Sequence, residues 1–110
     1  MNTFHEYQKE AIKTSNKMTE KEHYVLNGIL GLNGESGELA DVLKKHLFQG
    51  HELDQEKLIE ELGDVLWYCA LMAHGLGFDL SDVAHKNILK LRKRYGEKFS
   101  VDKSINRKEK

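Results

Sequence analysis

Two acidic pairs of matching spacing stand out in this chain: Glu35 and Glu38 in "GESGELADVLKK", then Glu61 and Asp64 in "EELGDVLWYCALMA". Side chains three residues apart on a helix are neighbours on one face. Two such pairs on facing antiparallel helices would gather four carboxylates into one small volume. Left alone, these groups would repel and raise one another's pKa; divalent cations would remove the conflict by supplying positive charge and taking carboxylate oxygens as ligands. An oxygen-only donor set suits Mg2+ or Mn2+, whereas zinc and iron sites usually recruit His or Cys. A di-iron bundle would want Glu-x-x-His twice, and the nearest spacing here is Asp82 with His85, once.

A single Glu-x-x-Glu usually marks a solvated helix face. Here both pairs border apolar sectors. At about 100° per residue, Leu32, Leu39, Val42 and Leu43 share one side of their helix, with Glu35 inside that sector and Glu38 at its edge. Val65, Tyr68 and Met72 surround the direction of Glu61, with Asp64 one step further round, while Glu60 faces away. Further along, Asn87, Lys90 and Arg94 recur at steps of three and four, a stripe able to bind phosphate oxygens that a metal does not reach. Lys45, close in helical direction to Glu38, is another cation for that task. Gly31, Gly34 and Gly37 would leave bare backbone beside the first pair, for tight helix packing or for a ligand. The Gly-x-x-x-x-Gly-Lys loop of nucleotide-binding P-loops is absent, and no Ser-His-Asp arrangement follows from spacing.

Helices must position these groups. The chain has no proline, and no strand-like alternation flanks a tight turn, so the reading is all-α. A first amphipathic helix is expected from about Thr3 to Thr14. Thr19 and Glu22 have the form of a capping box for a long second helix that reaches Phe48 and is closed by Gly50. Asp54 can cap a third helix that ends near "HGLGFD", and Ser81 opens a fourth that ends near Tyr95 and Gly96. Connections of this length suit an up-and-down bundle of four helices. One helical domain is expected over residues 1–99, followed by a basic, flexible tail over 100–110.

At 110 residues the chain is near the size at which partner subunits often add stability, so a homodimer or homotetramer is expected. A formal charge of -1 gives no basic excess for a nucleic-acid polymer. One cysteine, Cys69, excludes an internal disulfide framework and reads as a small core residue. No apolar run is long enough for a membrane span, and "MNTFHEYQKE" lacks the layout of a secretory signal. The expected location is cytoplasmic.

Taken together, "GLNGESGELADVLKK" and "EELGDVLWYCALMA" resemble the MazG-like members of the all-α nucleoside triphosphate pyrophosphohydrolases, whose pattern is Glu-x-x-Glu, a spacer, then Glu-x-x-Asp. "NILKLRKRYGEKF" is similar to the family's following helix and "EYQKEA" to its opening one. The resemblance implies a Mg2+-dependent enzyme that cleaves a nucleoside triphosphate to the monophosphate and pyrophosphate, assembled as a dimer or higher oligomer. Under it Glu35, Glu38, Glu61 and Asp64 are the metal ligands, Asn87, Lys90 and Arg94 assist the triphosphate, and Tyr68 either borders the base or serves as a core aromatic. The alternative is a non-catalytic helical dimerisation module whose acidic pairs are structural.

Overall fold

The computed structural model describes residues 3–96 and 100–106. The described residues form five helices and no strand: α1 (Phe4–Lys13), α2 (Lys21–Phe48), α3 (Gln55–Gly75), α4 (Leu80–Tyr95) and α5 (Val101–Ile105). The fold is all-α, as the sequence implies. The chain divides into two compact units, Met1–Leu80 and Ser81–Lys110.

Local chemistry sets most helix ends. Thr3 is extended and its hydroxyl accepts the amide of Glu6; Asp54 does the same for Lys57 at 3.0 Å. Gly50 follows the end of α2 with φ 72°, a left-handed conformation that costs a residue with a Cβ but not glycine. The start of α2 differs from the expected capping box. Glu20, not Thr19, precedes the helix, and it makes no side-chain cap bond. A tertiary contact pins the chain there instead: the Tyr24 hydroxyl accepts the amide of Met18 at 3.0 Å, while the Tyr24 backbone end packs over Gly75 of α3. α4 begins at Leu80, one residue before Ser81, because the Leu80 amide donates to Gln8 Oε1 at 2.9 Å.

In the first unit α3 is central, packed by α2 along one side and by α1 on another. Ala11, Ala70, Ala73 and Leu80 form the buried cluster, with Tyr7, Leu66, Trp67 and Cys69 packed around it. Cys69, expected as a small core residue, is half-buried against the edge of this cluster, and burial pushes its thiol pKa up. Gln8 ties α1 to this core. Its buried amide donates to the carbonyls of Ala70 and Phe78 at 3.1 and 3.2 Å, besides accepting from Leu80. Trp67 Nε1 donates across to Thr14 Oγ1 at 2.8 Å, and His5 pairs with Asp79 at the other end of α1.

In the second unit, Ser100 caps a short helix that occupies part of the segment expected as tail, and Lys103 Nζ donates to the carbonyl of Tyr95 at 2.9 Å. The expected boundary at residue 99 and the terminal residues 107–110 lie outside the described residues.

Candidate metal centre

α2 and α3 run antiparallel in close contact, and the residues at their interface explain how near they come. A Cβ on Gly28 would lie 2.8 Å from Met72 Cβ and 3.1 Å from the Met72 backbone. One turn on, a Cβ on Gly31 would fall 2.1–2.4 Å from the Tyr68 ring, which lies over the bare α2 backbone and meets Trp67 edge-on. These two positions fix the register. In that register the next turn of α2 presents Glu35 to Glu61 and Asp64.

The three carboxylates form a cluster: each offers an oxygen, and these oxygens all lie within 4.8 Å of one another. Glu61 is buried, Glu35 half-buried and Asp64 exposed, so the group opens outward at one side. Its electrostatics show the expected conflict. The Glu35 carboxyl is pushed up to about 7, first by its hydrogen bond with Glu61, then by burial and the negative charges of Glu61, Asp64 and Glu38. Glu61 is held below the ordinary carboxylate range by the hydrogen bonds from Glu35 and Lys57. The pair therefore shares a proton that sits mainly on Glu35.

Glu38 is exposed and stands outside this cluster of three. It lines an adjoining cavity of about 260 Å³, together with Asp41, Lys45, His51, Asp54 and Lys57. Lys45 pairs with Asp41 at 3.0 Å, which holds the Asp41 carboxyl low. Tyr68 occupies the interhelix seam over Gly31, one of the two positions left open for it by the sequence. Gly34 and Gly37 have nothing within 4 Å of a would-be Cβ, so of the three spaced glycines only Gly31 is closely approached. Asn87, Lys90 and Arg94 do share one helix, α4 of the second unit, with Asn87 and Lys90 exposed and Arg94 half-buried.

Two residues near the cluster were not anticipated. Lys57 Nζ lies 2.9 Å from Glu61 Oε1, and its place four residues before Glu61 on a helix is the signal that announces it. Tyr7 of α1 has its phenol pKa raised by burial and then by the charge of Asp64. No sequence spacing signals that proximity, since α1 reaches α3 only through the tertiary fold.

The sequence profile of the MazG nucleotide pyrophosphohydrolase domain matches residues 24–99, a span that holds both acidic pairs and the α4 stripe. The Gene 37 protein of Mycobacterium phage L5 is 41% identical over 69 residues, covering 59% of this chain and 60% of that protein. The match thus spans less than two thirds of that relative's length. No solved structure matches the chain. Because the profile match extends over well more than half of the sequence and includes the carboxylates that meet between α2 and α3, this chain belongs to the family of MazG nucleotide pyrophosphohydrolase domains.

Proposed function

We propose that the chain is a Mg2+-dependent hydrolase that cleaves nucleoside triphosphates to the monophosphate and pyrophosphate, and that it works as a homodimer or homotetramer in the cytoplasm. The observation that carries this reading is the meeting of Glu35, Glu61 and Asp64, from two packed helices, within 4.8 Å. The donors fit the ion: they are hard oxygens only, and a proton held on Glu35 up to about pH 7 marks the charge deficit that a cation relieves. Family membership supports the substrate class. Mn2+ would serve the same donors.

When bound, Mg2+ would supply charge to the phosphate chain and lower the pKa of the attacking water. Glu35, Glu61 and Asp64 would hold the ion, and Glu38, at the cavity wall, would complete the ligand set or act as the base. Lys45 lines the same cavity and would meet phosphate oxygens there. Asn87, Lys90 and Arg94 are assigned to phosphate as a separate stripe on α4. Tyr68 holds the α2–α3 seam and thereby the spacing of the carboxylates.

Pyrophosphate release from a panel of canonical and modified nucleoside triphosphates, with Mg2+ present, tests the reading. At least one substrate should be cleaved, and Glu38→Gln and Asp64→Asn should each lower turnover on the order of a hundredfold or more while the helical CD spectrum survives. Full activity in both variants, or no release from any member of the panel, defeats the assignment.

A further inference from the structure

The buried carboxylate of the cluster already has a cation. Lys57 Nζ lies 2.9 Å from Glu61 Oε1; the Glu61 side chain is 8% exposed and that of Lys57 46%. A carboxylate so buried is costly unless it is paired and hydrogen-bonded. In the metal-free chain Lys57 provides the charge, and Glu35 provides the second hydrogen bond. A divalent ion ligated by Glu61 would place two further positive charges within a few ångströms of the ammonium, where like charges repel strongly. Lys57 also has somewhere to go. Its stem is flexible and half-exposed, and it lines a cavity of about 260 Å³ whose wall includes the carboxylate of Asp54, one residue before α3, with Asp41 beside Lys45.

We propose that Lys57 is a resident counter-cation for Glu61 which the divalent ion must displace, so that this residue sets the metal affinity of the site. The inference rests on the metal-site reading above. Lys57 offsets the charge of Glu61 and competes with a divalent ion for it, and it acts on the ion only through Glu61: it is a positioning residue. Removing its charge therefore tightens metal binding instead of weakening it, which is the opposite of what loss of a merely structural ion pair would do.

Titration of the full chain with Mn2+ alone, followed by electron paramagnetic resonance or calorimetry, tests this in the wild type, Lys57→Met, Lys57→Gln and Lys57→Arg. The Met and Gln variants should bind Mn2+ about five- to tenfold more tightly, with Arg close to wild type. In chelator the Met variant should melt below wild type, and its melting temperature should rise more on adding Mn2+. If Lys57→Met fails to fold, Lys57→Gln, which keeps an N–H toward Glu61 without the charge, supplies the comparison. Equal or weaker Mn2+ binding in the uncharged variants overturns the role of Lys57 while leaving the metal site standing. No Mn2+ binding in wild type or any variant overturns the site itself, and this inference with it.

Discussion

Glu35 and Glu61 divide one proton unequally, and the consequence is measurable without any substrate. A group whose pKa is higher in the folded chain contributes stability that is complete below its unfolded value, near 4.5, and is lost as pH rises through the folded one, here about 7. Glu61 works in the other direction: its depressed pKa contributes stability above the unfolded value, lost only as pH falls through the lowered one. The two windows do not overlap, so the loss from Glu35 between pH 5 and 7.5 is not cancelled by its partner. In chelator the melting temperature should therefore fall over that range, and Glu35→Gln, whose amide donates to Glu61 with no proton to release, should flatten the fall. Equal slopes in both proteins would remove the shared proton. The spacing of the acidic pairs was legible in the sequence because it is local; that Glu35, Glu61 and Asp64 meet while Glu38 stands outside was not, because the α2–α3 register decides it. Lys57 was legible only in retrospect: an i,i+4 Lys–Glu pair is ordinary on a solvated face, and it gains meaning once Glu61 is known to be buried.

At the scale of the elements, the glycines of α2 and α3 divide into those that admit a neighbour and those that face open space. Gly28 meets the Met72 backbone, which cannot swing aside as a side chain does, so Gly28→Ala must push the helices apart. It should cost about 1–3 kcal/mol and weaken Mn2+ binding, because the same register carries Glu35 to Glu61. Gly34→Ala and Gly37→Ala add a Cβ into open space inside a helix and should stabilise the metal-free chain by up to about 1 kcal/mol each. Denaturant melts of the three variants check the contrast, and a stabilised Gly28→Ala would mean that the register is set elsewhere. This division explains which parts of the fold sequence reasoning reached. The ends at Thr3, Asp54 and Gly50 follow from one or two residues and were foreseen. The start of α2 was not, because Tyr24 and Gly75 meet only after α2 and α3 pack. The register was hidden for the same reason: "GLNGESGEL" offers three glycines at even spacing, and nothing local says that only the first meets a neighbour.

For the whole molecule, the decisive feature is that α2 is apolar on two opposite sides. Gly28, Gly31 and Glu35 point toward α3, while Leu26, Ile29 and Leu30 lie roughly half a turn away, at about 100° per residue, before Asn33 and Lys44 turn that side of the helix polar. That second stripe is bare in the single chain: Leu30 is 64% exposed and Phe48, at the end of α2, 79%. A soluble helix normally buries one stripe and solvates the other side, and contiguous apolar patches of this kind mark association surfaces. The occupant that fits the proposed oligomer is a second copy of the chain, whose own α2 presents the same unpaired stripe, as a two-fold interface requires. Sedimentation at micromolar concentration should then give a dimer or tetramer. Leu30→Glu, which places a charge in the middle of the stripe and touches none of the carboxylates, should weaken assembly by at least about tenfold and lower the melting temperature in a concentration-dependent way. A wild-type chain that sediments as a monomer at about 100 µM, a concentration at which an interface of standard size is populated, would show that the outer stripe of α2 is not where copies meet.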